Sequence, residues 1–506
     1  MLTLTLLTIP FLLYAGLKLY EIYSVRRIYR VGGVGEPYLQ TLGIFSMLKT
    51  YITTGTEETT TKQLENYKKF GRQTGIYHTF FGPFNYINLT DPEAQKKVMT
   101  NSKLFPKFQL TYSENSSPSY RFFGKNLAFM EGEEWQRNRH FFYPISYNVE
   151  KFYDTFETHI KNCVTKWDEQ FDKQRQDKPV TVYAQHDLTK LFLDILGETV
   201  LGVKFNAKDD QIAGVIESYR FFAENLFQPV RAFIPILNKL PTKYNKQVEM
   251  HVKRFDGFLY SIIEEARHTI QTGVDKNSIL DLIILDEKNL APTNKQIRDA
   301  VVTAIINGHD TTSSAVGFGL YSLAKHQHIQ QKLYEELCTI TIHNDLSEPM
   351  SGSESADFYD QLIQLKYLDW FFKENIRMYP PSGSVLPREA AKDTVLCDYF
   401  IPKGTMINVS IISPCHSDAY FGDDVDEFKP ERWSDSGNIP EYAYKPFGSG
   451  SRKCPGYRFS MIEQKLFFYT VLKKYKIELE KGYQFESFSK FLNHMPYDFK
   501  IILTKR

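Results

Sequence analysis

The sequence predicts an α+β fold that is mostly α-helical and carries a small β-sheet segregated from the helices. Long helical patterns of apolar residues fill residues 150–345, whereas short strand-like runs take over after Pro387. Two further β-rich runs meet at Gly82 and are followed by Asp91 and Pro92, which predicts a hairpin that leads into a helix. Helices and strands that are separated in this way along a chain are typical of α+β folds.

The composition supplies material for a large buried core but does not indicate nucleic-acid binding. Hydrophobic residues make up 42% of the 506 residues and aromatic residues 15%, and the formal net charge is only +1. Nucleic-acid-binding proteins carry a marked basic surplus, so this class of partner is not expected. The five cysteines are few, odd in number and scattered, which suits a reducing compartment better than a disulfide framework.

The N-terminus predicts a membrane anchor. The run Leu2–Leu17 is apolar apart from a few interruptions, and Arg26, Arg27 and Arg30 follow it. This is a short span for a bilayer, which takes about 20 apolar residues. No basic segment precedes the run and no A-x-A cleavage site follows it, which argues against a removed signal peptide. Because the basic flank lies downstream, the positive-inside rule places the rest of the chain in the cytosol.

We therefore expect three segments along the chain. They are a transmembrane anchor at 1–24, a basic flank and hinge at 25–50, and one large catalytic body at 51–506. Within the body, the polar stretch PMSGSESAD at 349–357 is predicted to be a linker between helices.

A glycine-rich loop near the C-terminus, KPFGSGSRKCPG, contains a lone cysteine, Cys454. Glycines leave backbone N–H groups free to point at a sulfur atom, and Arg452 and Lys453 place positive charge beside it. An exposed thiolate in such a loop is suited to bind iron. The alternative is an ordinary surface loop with an incidental cysteine. A zinc site is not expected, because no second ligand stands at the required spacing, and we interpret the adjacent pair Cys415-His416 as structural.

A second stretch, LKYLDWFFKENIRMYPP, places Glu374 and Arg377 on one face of a helix, because residues three apart are neighbours there. A solvated surface ion pair is one interpretation, since E-x-x-R spacing is common and such pairs are weak. The flanking residues Trp370, Phe371 and Ile376 are apolar, however, so we expect a buried pair with a structural role.

A third stretch, TNKQIRDAVVTAIINGHDTTSSAVGFGLYSLAKH, predicts a long buried helix that begins with a capping box of Thr293 and Gln296. Polar residues interrupt its apolar surface at NGHDTTSS, where Gly308 weakens the helix by up to ~1 kcal/mol relative to alanine. A hydroxyl beside an acid can carry protons. The pattern equally fits a helix whose Ser and Thr side chains bond back to its own carbonyls. The residues leave both interpretations open.

A fourth stretch, EGEEWQRNRHFF, places Trp135 and Arg139 four residues apart on one helix face. Arg388, in VLPREA, is predicted to lie on a strand. The side chain of arginine can pair a carboxylate through two hydrogen bonds. For Arg388 a surface position is the alternative.

Together these stretches resemble the cytochrome P-450 family. FGSGSRKCPG fits the family's haem-binding motif F-x-x-G-x-R-x-C-x-G at Phe447, Gly450, Arg452, Cys454 and Gly456. The resemblance implies that Cys454 is the axial ligand of the haem iron, that Phe447 packs near the sulfur and that Arg452 faces a haem propionate.

The long helix resembles the family's A/G-G-x-D/E-T-T pattern at Gly308, Asp310, Thr311 and Thr312. This resemblance implies that Gly308 opens a groove for oxygen on the distal side of the haem, where Asp310 and Thr311 deliver protons. Asn307 departs from the small residue that usually precedes the glycine, and an amide there could touch substrate or narrow the groove.

The remaining motifs follow the family's order along the chain. Trp135 and Arg139 match W-x-x-x-R, which binds haem propionates, and Arg388 matches a strand position that often supplies another propionate ligand. Arg432, in FKPERW, completes the E-x-x-R pair into a triad that would lock the core around the haem loop. Gly448 lies inside the cysteine loop, and the resemblance implies that it also belongs to the haem-binding residues.

The resemblance implies a cytochrome P-450 fold and a haem-thiolate monooxygenase with haem b. One oxygen atom of O₂ enters, or drives oxidation of, an organic substrate, and the other becomes water. The chain shows neither G-x-G-x-x-G after a strand nor a Walker A motif, so electrons are expected from a partner. By analogy this partner is NADPH-cytochrome P-450 reductase in the endoplasmic reticulum membrane, with cytochrome b5 as a second candidate.

A basic face on the cysteine side is expected to dock this reductase. The residues proposed for it are Arg137, His140, Lys445, Lys453 and Arg458.

The expected substrate is a small apolar or aromatic molecule. In this family the segment before Trp135 and the segment YRFFAENLFQPVRAFIPILNKL line the pocket. Here they offer Phe108, Tyr112, Tyr120, Phe122, Phe221, Phe222, Phe227 and Phe233. The composition resembles fungal members that couple N-formyl-tyrosine for the spore wall or oxidise cyclic dileucine to pulcherriminic acid.

Two other readings of the function stay open. Fatty-acid, alkane or sterol oxidation is the alternative within the enzyme class. A haem protein that binds without turnover, as a sensor or carrier, is the alternative class; the presence of both Asp310 and Thr311 argues against it, because a binder needs no proton relay.

Overall fold

The computed structural model describes most of the chain beyond residue 60. The described residues are 15–16, 19–20, 23, 27–28, 60–81, 84–108, 118–173, 178–205, 210–225, 231, 235–272, 278–286, 292–340, 352–435, 437, 439–490, 493–497 and 499–506. The predicted anchor and hinge lie almost entirely outside them. Among the described residues, no helix combines the length and the apolar character that a membrane crossing requires.

Helices dominate the described residues. They are α1 (Thr60–Asn66), α2 (Pro92–Thr100), α3 (Pro118–Phe123), α4 (Gly132–Arg139), α5 (Tyr143–Tyr147), α6 (Tyr153–Lys173), α7 (Ala184–Leu196), α8 (Asp210–Glu224), α9 (Lys243–Gln271), α10 (Ile279–Leu285), α11 (Asn294–Lys325), α12 (Gln327–Leu337), α13 (Gly352–Gln364), α14 (Lys366–Met378), α15 (Ile412–Cys415), α16 (Asp418–Phe421) and α17 (Tyr457–Lys474).

The strands are short and form small sheets. They are β1 (Ile76–Phe81), β2 (Phe84–Leu89), β3 (Val180–Tyr183), β4 (Arg388–Glu389), β5 (Thr394–Leu396), β6 (Tyr399–Ile401), β7 (Met406–Val409), β8 (Tyr475–Glu478), β9 (Ser487–Lys490), β10 (Asn493–Pro496) and β11 (Lys500–Lys505). One sheet has the order β1-β2-β7-β4, in which only β2 and β7 run parallel. A second has the order β3-β11-β8, and two antiparallel pairs complete the set.

The helix α11 forms the centre of the helical core. Its N-terminus has the predicted capping box, in which Thr293 and Gln296 satisfy each other's backbone N–H groups. Most of its side chains are buried, and it packs against α7, α9, α14 and α17. Because α17 begins directly after the cysteine loop, this packing holds the loop beside the middle of α11.

Most of the sequence-based elements are confirmed. The hairpin β1–β2 leads into α2, which Asp91 caps by accepting a hydrogen bond from the Ala94 N–H at 2.8 Å. The predicted linker at 349–357 is wrong in its second half, because α13 begins at Gly352. Apolar residues further along α13, such as Phe358 and Leu362, bury one face of the helix and outweigh the polar start.

Candidate active site

A cavity of about 440 Å³ brings together most of the predicted site residues. The predicted residues that line it are Trp135, Arg139, Gly308, Thr311, Thr312, Phe447, Gly448, Arg452, Cys454 and Gly456. The structure does not place Asp310, Gly450 or Arg388 in its lining, and it adds Lys107, Asn225, Arg231 and Tyr244, which no motif had indicated.

The cysteine loop has the geometry of a thiolate site. Gly448 and Gly450 adopt φ angles of 71° and 63°, which side chains rarely allow, and the turn lets the Cys454 N–H donate to the Phe447 carbonyl at 2.8 Å. Burial raises the pKa of the Cys454 thiol, whereas a backbone hydrogen bond from Gly456 and the charge of Arg139 lower it. Cys454 is exposed, and its surroundings are the lining of the cavity. The position of Cys454 in the cavity lining favours a binding role over an incidental surface cysteine.

Beside the cavity, Arg452, Arg388 and Lys107 form a cluster of basic side chains around a single carboxylate, that of Glu131, among the described residues. Glu131 accepts hydrogen bonds from Arg452 at 2.6 Å and from Arg388 at 3.4 Å. Burial lowers the pKa of Lys107 far below its usual value, and the charges of Arg388 and Arg452 lower it further. The Arg388 Nε atom is buried with no hydrogen-bond partner among the described residues. Three basic side chains thus share one carboxylate, which fits a ligand that brings two further carboxylates, as haem does.

The structure places two further predicted residues, Arg388 and Trp135, at this cation cluster. Arg388 is only 2% exposed, so its surface alternative is wrong, and burial lowers its pKa to about 10. Trp135 contacts Arg452, whose guanidinium carbon lies 4.0 Å from the centre of the indole ring. The tryptophan therefore orients an arginine of the cation cluster by a cation–π contact.

The polar residues in the middle of α11 fit both interpretations that the sequence left open, back-bonding to the helix and a hydroxyl group at the site. Thr311 donates to the Asn307 carbonyl at 2.8 Å and Thr312 to the Gly308 carbonyl at 2.9 Å, so back-bonding is present. Thr311 nevertheless lines the cavity, where its oxygen can accept a further hydrogen bond. Gly308 is also needed for packing, because a Cβ atom there would lie 2.8 Å from a methyl carbon of Leu196.

Asp310 belongs to a buried network that the sequence did not indicate. Its carboxylate lies 2.9 Å from Nε2 of His309, and the same imidazole lies 3.2 Å from the hydroxyl of Tyr219. Burial disfavours the charged imidazole, but the carboxylate outweighs this effect and raises the pKa of His309. The histidine stands inside the GHDTT motif, yet its partner Tyr219 lies on α8, 90 residues away, and only the fold joins them.

The E-x-x-R triad is buried as expected. Arg377 donates twice to Glu374, at 2.9 Å each, and both side chains are fully buried. Arg432 donates to the same carboxylate at 3.2 Å, and the Trp433 indole, which the sequence did not single out, donates at 3.0 Å. Arg377 also donates to the Cys415 carbonyl at 2.9 Å. The triad thus joins α14 to the segments before the cysteine loop.

Cys415 and His416 are structural, as interpreted. The Cys415 thiol donates to the Ala443 carbonyl at 3.6 Å, and His416 is within hydrogen-bond distance of the Ile412 carbonyl. Within the described part of the chain, no three His, Cys, Asp or Glu side chains gather as a metal site.

The predicted aromatic wall is wrong for the residues that can be placed. Phe122 and Phe222 stack on each other at 3.9 Å, and Phe221 stacks on His251, so these rings fill the core between α3, α8 and α9. None of Phe108, Tyr120, Phe122, Phe221 and Phe222 is among the residues that line the cavity. Tyr112, Phe227 and Phe233 lie outside the described residues.

Apolar lining comes instead from residues that the sequence did not single out. These are Phe123, Leu127, Phe129, Phe142, Ile306 and Leu386.

Four of the five residues expected to form a basic docking face are exposed. Arg137, His140, Lys453 and Arg458 are exposed, whereas Lys445 is only 4% exposed. Its ammonium donates to Gln95 and, at 2.7 Å, to the Tyr442 carbonyl. Lys445 therefore anchors the start of the cysteine loop through these buried hydrogen bonds, and it is not available to contact a partner.

Comparisons with known proteins agree with this geometry. The model of the cytochrome P450 family matches residues 44–501. Cytochrome P450 4ae1 of Drosophila melanogaster is 31% identical over 369 residues, which cover 70% of this chain and 71% of the relative. Cytochrome P450 3A31 of Mesocricetus auratus is 25% identical over 430 residues, with coverages of 83% and 81%. Cytokinin hydroxylase of Arabidopsis thaliana is 26% identical over 416 residues, with coverages of 78% and 76%.

Proposed function

The chain belongs to the cytochrome P450 family, and we propose on that basis that it oxidises a small, mostly apolar or aromatic molecule bound in the cavity beside Cys454. As a family member it is a monooxygenase, and its cofactor is haem b with a cysteine thiolate ligand. The observation that carries the proposal is that Cys454 and Thr311 line one cavity with mostly apolar walls.

The residues present suit the binding of haem. Cys454 would supply the thiolate, and Arg452 and Arg388 would supply charge for the two propionates, with Lys107 beside them as a further hydrogen-bond donor. When bound, haem supplies the activation of O₂, which electron donation from the thiolate favours. The chain itself holds the cofactor, excludes water with its apolar lining and positions the substrate.

Proton delivery is proposed to run along α11. The Thr311 hydroxyl keeps its proton on the Asn307 carbonyl at 2.8 Å, so its oxygen is oriented to accept a hydrogen bond from a group in the cavity. Asp310 lies outside the lining and contacts His309, and this position beside Thr311 in the chain supports a role as the proton source. Thr312, by contrast, bonds to Ser460, which favours a structural role for its hydroxyl.

Electrons come from a reductase in this family, and we propose NADPH-cytochrome P-450 reductase, with cytochrome b5 as a second donor. Exposed Arg137, His140, Lys453 and Arg458 support docking of an acidic partner. Reversing the charge of the three lysine and arginine residues together should slow reduction, and an unchanged reduction rate would contradict the docking face. The anchor at 1–24 and an endoplasmic reticulum location remain predictions from the sequence.

For the substrate, we favour an amino-acid-derived molecule such as N-formyl-tyrosine or cyclic dileucine, with fatty-acid, alkane or sterol oxidation as the alternative. The test is an optical titration of the purified holoprotein with each class, followed by turnover with NADPH and reductase. A ligand that shifts the Soret band and yields an oxidised product supports the proposal.

Thr311→Ala separates an enzyme from a haem sensor or carrier. In a monooxygenase this variant should lose product and release hydrogen peroxide, because proton delivery fails. A binding protein would be indifferent to the change. Absence of a Soret band from the purified protein would overturn the whole assignment.

A further inference from the structure

Arg231 lines the cavity although it is far from the cysteine loop in the sequence. Arg231 lies between α8 and α9 and lines the same cavity as Cys454. It stands within the segment that the sequence had assigned to the substrate pocket, although the aromatic residues of that segment had been expected to form the wall.

The guanidinium of Arg231 is held in place from one end. Its Nη1 atom donates to the Leu237 carbonyl at 3.1 Å and to Oδ1 of Asn245 at 2.8 Å. Asn245 is itself fixed, because its amide donates to the carbonyls of Leu237 and Leu240. The ring of Tyr244 lies beneath the guanidinium, 4.2 Å from the central carbon. The arginine is thus oriented before any ligand binds.

The other edge of this guanidinium has no partner in the part of the chain that the structure describes. Among the described residues, no hydrogen bond reaches Nε or Nη2 of Arg231 and no carboxylate pairs with it. Other arginines on the neighbouring helices do pair with carboxylates, Arg254 with Glu217 and Arg298 with Asp256. The Nε–Nη2 edge is one that binds a carboxylate through two parallel hydrogen bonds.

Two further polar atoms in the lining lack partners within the described part of the chain. Asn307 donates to the Thr303 carbonyl at 2.8 Å, which leaves its side-chain oxygen as an acceptor. Asn126 accepts from the Ala128 N–H at 2.9 Å, which leaves its amide nitrogen as a donor. The lining therefore offers sites for a carboxylate and for an amide or hydroxyl group amid apolar side chains.

We propose that Arg231 binds a carboxylate of the substrate, so that the substrate class is a small organic acid with an apolar or aromatic body. This inference rests on the proposed function and narrows it. N-acyl amino acids and fatty acids both carry the required carboxylate, and the two asparagines favour the acid that also has an amide. Sterols and cyclic dipeptides have no carboxylate and are disfavoured.

The test compares acids with their methyl esters on the holoprotein. N-formyl-tyrosine, dodecanoic acid and the methyl ester of each are titrated by Soret shift and, independently of the haem signal, by calorimetry. The variants are Arg231→Met, Arg231→Lys and the control Arg220→Met, which removes an exposed arginine of α8. Retained haem per protein is measured for each variant.

We expect the wild type to prefer an acid over its ester, and Arg231→Met to weaken acid binding by about 10- to 100-fold while ester binding stays unchanged. Arg231→Lys should recover part of the loss, because it keeps the charge without the paired donors, and Arg220→Met should bind like the wild type. Tighter binding by N-formyl-tyrosine than by dodecanoic acid identifies the acyl amino acid as the source of the carboxylate, and the reverse order identifies the fatty acid.

Equal binding of acids and esters by the wild type would overturn the inference, as would an equal loss of both in Arg231→Met. Loss of haem from Arg231→Met would also overturn it, because the arginine would then contact a haem carboxylate. If esters are turned over as fast as acids, the role of Arg231 is refuted but the proposed monooxygenase function stands. If acid binding depends on Arg231 but no product forms with reductase, the role of Arg231 stands and the proposed monooxygenase function is refuted.

Discussion

The hydroxyl oxygen atoms of Thr312 and Ser460 lie 3.0 Å apart, although 148 residues separate them in the chain. This hydrogen bond joins the middle of α11 to the first turn of α17, directly after the cysteine loop. Both threonines line the cavity, but Thr312 is only 2% exposed, whereas Thr311 is partly exposed and donates its hydroxyl to the Asn307 carbonyl. The two threonines of the motif therefore have different environments.

Thr312→Val and Ser460→Ala should each lower the free energy of unfolding by about 1–2 kcal/mol, because each removes the bond between the two hydroxyls and one further hydrogen bond. In the double variant the total loss should be smaller than the sum of the two single losses, since the bond between the hydroxyls is counted in both. Chemical unfolding of the four proteins in a double-mutant cycle measures this coupling. Additive losses would show that the two hydroxyls do not interact.

Glu374→Gln should prevent accumulation of folded holoprotein. The change leaves Arg377 and Arg432 without their shared carboxylate in a fully buried site, and breaking such a pair costs about 3–5 kcal/mol. Asp369→Asn, which removes a half-exposed ion pair with Lys373 on the same helix, is the control and should cost less than about 1 kcal/mol. Soluble yield and thermal midpoint are the measurements. A Glu374→Gln protein as stable as the control variant would contradict the structural role of the triad.

Arg388→Leu and Arg452→Leu should lower haem retention, because each removes charge that the propionates require. A charge-assisted hydrogen bond contributes about 1.5–3 kcal/mol, so haem affinity should fall by roughly 10- to 100-fold. The measurement is haem transfer to an excess of an apo-haem acceptor protein. Arg458→Leu, which changes an exposed arginine with a long 3.8 Å contact to Glu150, should retain haem like the wild type. Unchanged transfer in both cavity variants would show that this cluster does not bind haem.

Acid should destabilise the protein between about pH 6.5 and pH 4. Burial lowers the pKa of His416 and of His494 to about 4, whereas an unfolded chain protonates histidine near 6.5. In this window the unfolded state binds more protons than the native state, so stability falls as the pH falls. Each histidine contributes about 3 kcal/mol to the full loss.

The pH dependence is measured as the unfolding free energy or thermal midpoint from pH 4.5 to 7.5. His494→Gln should flatten the slope, since the amide does not titrate. His186→Gln, at an exposed position on α7, should leave it unchanged. If the wild type, His494→Gln and His186→Gln lose stability equally as the pH falls, protonation of His494 does not cause the loss.

Much of the site followed from local sequence, because its motifs depend on near neighbours. The cysteine loop needs glycines that allow positive φ angles, and the E-x-x-R pair needs one helical turn. Capping of α11 by Thr293 also follows from residues within one turn. Such features were confirmed because the interacting groups stand within a few positions of each other.

The substrate side of the cavity did not follow from the sequence. An aromatic residue in the core and an aromatic residue in a pocket have the same local pattern, so Phe122 and Phe222 were assigned to the wall although they stack with each other. Lys445 has the charge of a docking residue, and only its burial against Gln95 excludes it. Arg231 carries no motif at all.

The sequence by itself determined the family, the motif cysteine proposed to bind the haem iron and the helical α+β architecture, because these depend on spacing within short segments and on the apolar periodicity of single elements. Only the tertiary structure decided which hydroxyl of the Thr311-Thr312 pair bonds to Ser460, which cations surround Glu131 and that Arg231 lines the cavity. Those features depend on the packing of elements far apart in the chain, where burial and charge pairing are set by neighbours that no local pattern specifies.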